Sequence, residues 1–108
     1  MKKLYLLITF TLVAGITFGQ TLLTEDFAGG SFPPSGWTID AQAGNWSAND
    51  GATAGGTPPE AKFHWDPQFN GTTRLISPEM DATGMENMMV SFKHAISHYS
   101  NSYQIGVA

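Results

Sequence analysis

"NMMVSFKHAI", residues 87–96, is the stretch on which the fold class turns. Val90, Phe92 and Ile96 belong to the residue types that fit a pleated surface. Met88, Val90, Phe92, His94 and Ile96 recur with period two. An amphipathic helix would instead place apolar residues three and four apart. The alternation predicts a strand with those five side chains on one face. The same reading decides a question of chemistry. His94 and His98 are four apart, and on a helix they would share a face, as zinc-binding pairs do. On a strand they lie about 13 Å apart, too far for one ion whose bonds are about 2.0–2.1 Å. Ala95 follows His94 where the peptidase motif carries its glutamate, so a metallopeptidase is not the expectation.

Similar short pieces recur toward the N-terminus, separated by turn signals. "TLLTEDF" (21–27) predicts a first strand with Leu23 and Phe27 on one face. "AGGSFPPSG" (28–36) is loop, because its prolines cannot donate to a ladder. "WTID" (37–40) and "NWSAND" (45–50) predict short strands, the first with Trp37 and Ile39 on the same side. "AKFHWD" (61–66) alternates, with Phe63 and Trp65 facing one way and Lys62, His64 and Asp66 the other. "PQFNGTT" (67–73) holds an Asn-Gly step typical of a tight turn. "RLISPEMDATG" (74–84) gives a strand and then a proline break, and "SYQIGVA" (102–108) alternates again. No sustained helical period appears after residue 20. The expectation is all-β.

Residues 1–20 stand apart. Lys2 and Lys3 precede an apolar run from Leu4 to Phe18, which closes on small and polar residues. This is the layout of a secretory signal peptide, and the run is short for a membrane span of about 20 residues. An uncleaved N-terminal anchor is the alternative. Cleavage after Gly19 or Gln20 removes two of five basic residues and leaves three against nine acidic ones, a formal −6. The balance of the whole chain, −4, already argues against nucleic acid as a partner. The absence of cysteine excludes disulfides and a lipoprotein anchor. The final alternating segment stops mid-pattern at Ala108, so residues 21–108 are expected to form the N-terminal portion of a longer domain.

No catalytic constellation is legible. Asp40, Asp50, Asp66 and Asp81 are scattered, mostly beside turn signals, and suit local hydrogen bonding. Trp37 and Trp65 are expected in the core. Trp46, flanked by polar residues, is the indole most open to a ligand such as a sugar ring. "NWS" (45–47) and "NGT" (70–72) match the N-glycosylation pattern.

In order, these segments resemble a known family. "LLTEDFAGGSFPPSGWTI" is similar to the opening of the cleaved-adhesin and choice-of-anchor J domains of secreted Bacteroidetes proteins. "GGTPPEAKFHWDPQFNGTTRLISPEMDATGMENMMVSFKHAISHYSNSYQIGVA" resembles the part that follows, through its "LISP", "SFKH" and "YQIGV" elements. The likeness covers nearly all of residues 22–108. It implies a jelly-roll β-sandwich related to MAM and concanavalin-like folds, incomplete here at its C-terminal side. Relatives often open on an acidic–x–Phe–acidic pattern that helps hold a structural calcium ion. Glu25 and Phe27 match its first acid and its aromatic, while Ala28 replaces the second acid, which leaves Glu25 as the candidate ligand.

The functional expectation is a secreted or cell-surface, non-catalytic module for adhesion, binding an extracellular glycan or protein, with no membrane contact once the signal is removed. Two alternatives stand beside it. One is the accessory domain of an exported hydrolase whose catalytic part lies beyond residue 108. The other is a structural spacer in a surface array.

Overall fold

The computed structural model describes residues 19–97 and Gly106. Residues 1–18, within the segment expected to be a signal peptide, His98 and most of the 102–108 segment lie outside the described residues. Within them the chain is β-rich, with four short strands and one 3-10 turn. These are β1 (Thr38–Ile39), β2 (Trp46–Asn49), β3 (Glu60–Phe63) and β4 (Leu75–Ile76). They form two antiparallel two-stranded sheets, β1 with β4 and β2 with β3.

The pairing is nested. Thr38 faces Ile76 and Ile39 faces Leu75, whereas Trp46 through Asn49 face Phe63 back to Glu60. Backbone bonds extend both ladders toward each other: Asp40 N–H donates to the Arg74 carbonyl at 3.3 Å, and His64 N–H to the Asn45 carbonyl at 2.7 Å. The two arms, 37–49 and 60–76, are therefore one antiparallel ribbon with a corner in it. At the corner, one arm contributes the six residues 40–45 between its strands and the other the eleven residues 64–74. The unequal lengths turn the ribbon, so β1–β4 and β2–β3 become separate sheets. The Asn-Gly step at 70–71 lies in the longer side of this corner and joins two sheets; it does not close a hairpin.

Side chains close the bend of the ribbon. Glu60 accepts from the Asn49 amide at 2.9 Å and from the Thr53 and Ala54 N–H groups at 3.2 and 3.0 Å. One carboxylate thus clips the 50–59 connection onto the end of β3. A Cβ on Gly51 would meet the Asn49 amide nitrogen at 2.6 Å, so glycine there leaves room for the clip. Upstream, Trp37 N–H closes a turn on the Pro34 carbonyl at 3.0 Å, with Gly36 at φ 81°.

Three expectations are corrected. Residues 21–27 are not a strand. Glu25 and Asp26 accept hydrogen bonds from the N–H groups of Phe27 and Ala28, two residues on, at 2.6 and 2.9 Å. The chain bends, and Phe27 takes φ 61°, a left-handed conformation that a phenylalanine adopts only when held there. Residues 87–96 form no ladder among the described residues. Met88, Val90, Phe92 and Ile96 stay 50–67% exposed, since alternation specifies a face and supplies no partner for it. Trp65 is not in the core. It is 58% exposed, because β3 ends at Phe63. No large apolar side chain is buried among the described residues; Asn45 and Pro34 are.

Candidate functional site

The ribbon corner gathers the aromatic and polar side chains. A 3-10 turn at Ala43–Asn45 follows Gln42, whose φ of 54° lets its carbonyl receive the Asn45 N–H at 2.9 Å. The turn drives the Asn45 carboxamide inward, where it is 2% exposed. Its Nδ2 donates to the carbonyls of His64 and Pro67, both at 2.8 Å. Those bonds pull the 64–67 segment away from the ladder and end β3. The side chains of His64 and Trp65 then project outward.

Trp46, the indole expected to face a ligand, is anchored through its N–H. Its indole N–H donates to the Thr73 hydroxyl at 2.8 Å, and that hydroxyl donates in turn to the Ala41 carbonyl. The chain of bonds ties β2 to the segments flanking β1 and β4. The Trp46 ring leans on Phe63 at 5.1 Å, and Phe63 meets Phe69 edge-on at 5.8 Å. Trp46 is half-buried and its one donor is engaged.

The open indole is Trp65. It lies against the His64 ring at 6.0 Å and 27° between planes, which backs one part of it and leaves the rest in water. The Nδ1 atom of His64 sits 3.3 Å from the Asp66 N–H and 3.2 Å from the Asp66 carbonyl, so its tautomer selects which of the two it bonds. Phe63, 41% exposed, continues the aromatic surface. Sequence reasoning missed Trp65 because the pattern 61–66 alternates without a break; only Asn45, sixteen residues or more upstream of that segment, ends it.

The two glycosylation-like asparagines separate sharply. The Asn45 amide nitrogen is buried and doubly engaged, so it is closed to modification in the folded chain. Asn70 is exposed.

Glu25, the candidate calcium ligand, is half-buried and uses one carboxylate oxygen to hold Phe27. Among the described residues no three acidic, histidine or cysteine side chains come together. His94 lies beside Phe92 at 5.6 Å in the unpaired segment.

Charge on the ribbon is mostly acidic, and two of its four carboxylates, Asp40 and Glu60, are engaged in hydrogen bonds. Arg74 clamps Asp40 through its backbone N–H at 2.8 Å and its guanidinium at 2.7 Å. The backbone bond, then the side-chain bond and the positive charge, hold the Asp40 carboxyl below its ordinary range. Glu60 is lowered by the Ala54 N–H first, with the Asn49 amide and Thr53 adding to it. Asp81 is lowered by Thr83, whose N–H it accepts at 2.9 Å.

No protein-family profile, no curated protein and no solved structure matches this chain. Among the described residues no helix is long and apolar enough to cross a membrane.

Proposed function

We propose that the chain is the N-terminal portion of an exported jelly-roll β-sandwich module that binds an extracellular glycan or protein at the cell surface and carries out no chemistry of its own. The nested ribbon supports the sandwich. A jelly roll is such a ribbon wrapped so that its arms alternate between two facing sheets, and strands change sheet at corners and bends. The feature of the site that carries the binding reading is the exposed Trp65 indole, backed by His64 and continued by Phe63. A flat aromatic face of this kind stacks on sugar rings or anchors a protein interface.

The test is binding of the intact exported protein to an array of glycans and extracellular matrix proteins. A target should emerge. Trp65→Ala should weaken its binding by about 2 kcal/mol, roughly thirtyfold, as loss of an interface tryptophan does. Flat responses across the array from protein with an unchanged circular dichroism spectrum would remove the adhesion reading.

A further inference from the structure

A recess lies beside β2, and none of Phe63, His64 or Trp65 is among the residues that line it. The 27–32 loop and the bend of the ribbon border a half-open recess of about 380 Å³, lined by Phe27, Phe32, Ala48, Asp50 and Pro59 among others. That is the small end of the range for ligand pockets, room for one side chain rather than an extended ligand. Its two aromatic rings are 6.3 Å apart and tilted by 40°. Phe27 is placed there by its left-handed backbone, and Trp37 supports it from behind at 6.0 Å.

The charges around the cleft are divided. Glu25 and Asp26 are engaged on the N–H groups of Phe27 and Ala28. The exposed Asp50 side chain makes no hydrogen bond or ion pair with any described residue, and Asp50 is among the residues that line the recess. Of the three basic side chains in the described residues, Arg74 is held by Asp40 and Lys93 by the Gly55 carbonyl. An acidic protein thus presents an unengaged carboxylate beside two aromatic rings. Aromatic faces attract cations, and a neighbouring carboxylate adds a charge-assisted hydrogen bond.

We propose that this cleft receives a single cationic side chain, arginine in preference to lysine, from a basic segment of a partner protein. The planar guanidinium stacks on an aromatic face and can bond a carboxylate with two parallel N–H groups. The site is independent of the Trp65 surface and does not rest on the binding role given to it.

The experiment is an NMR titration of the chain carrying Val90→Lys and Phe92→Lys, two exposed positions outside the recess whose change keeps the protein in solution, with the blocked peptide acetyl-Gly-Gly-Arg-Gly-Gly-amide, and with the same peptide carrying citrulline. Citrulline keeps the shape and removes the charge. The arginine peptide should shift the backbone resonances of Gly30, Ser31, Ala48 and Asp50, and bind about tenfold or more tightly than the citrulline peptide. Asp50→Asn, an exposed and near-isosteric change, should abolish that preference, whereas Glu79→Gln, an exposed acid elsewhere, should preserve it. Equal binding of the two peptides, shifts scattered over the other acidic residues, no shifts at all, or an Asp50→Asn variant that keeps the preference would each overturn the proposal.

Discussion

The carboxamide of Asn45 gives both of its N–H groups to carbonyl oxygens on the opposite arm of the ribbon. In a chain without buried large apolar side chains among its described residues, such a polar clamp carries unusual weight. Asn45→Ala is expected to cost about 1–3 kcal/mol, the penalty for leaving buried partners without a donor. Asn45→Asp should cost at least as much, since an oxygen would then face two oxygens. Urea midpoints measure both; unchanged midpoints would show that the corner is held by something else. Glu25 makes a different prediction. Its carboxylate serves the backbone of Phe27, so millimolar calcium and excess chelator should give the same melting temperature. A calcium-dependent rise, lost in Glu25→Ala, would instead identify it as a metal ligand.

Among the elements, alternation located the strand pieces at 37–40, 45–50, 61–66 and 74–76, and the structure places β1 to β4 within or one residue beyond them. It failed where a side chain competes with the ladder. At 21–27 two successive carboxylates capture nearby N–H groups, a local option that strand periodicity does not register. At 64–67 the capturing group is Asn45, far upstream. Asn45 itself reads as one polar residue before a tryptophan, and nothing in its neighbours marks it as buried. The bend of the ribbon carries a pH dependence. The Glu60 and Asp40 carboxyls are held below their unfolded values, so their contribution is complete above the unfolded range of about 4. It is lost as pH falls through the lower, folded values. Stability measured by urea should decline on acidification from pH 5 toward 3, as acid is expected to act on any carboxylate-clipped hairpin. Glu60→Gln removes one titrating group and should flatten that decline. An acid limb of the same steepness would assign it to other carboxylates.

For the whole molecule, the segment 87–96 dominates behaviour in solution. Met89 is 92% exposed, and Val90 and Phe92 follow it at 67% and 58%, without a ladder among the described residues. Exposed alternating apolar chain invites pairing with other chains. Residues 21–108 are therefore expected to scatter light at concentrations where the Val90→Lys, Phe92→Lys double variant remains clear. A sharp, reversible melt from a monomer of the unaltered sequence would contradict this.

Nested pairing also dictates an order of events in time. The inner pair, Asn49 with Glu60, spans ten intervening residues, while the outer pair, Ile39 with Leu75, spans thirty-five. Closing the longer span first costs about 1 kcal/mol more in chain entropy, and that excess shrinks once the inner pair is made. The ribbon closes from its bend outward. A chain emerging N-terminus first therefore keeps its first arm unmatched until residues 60–63 follow, and the 38–39 strand waits longest, until 75–76 arrive.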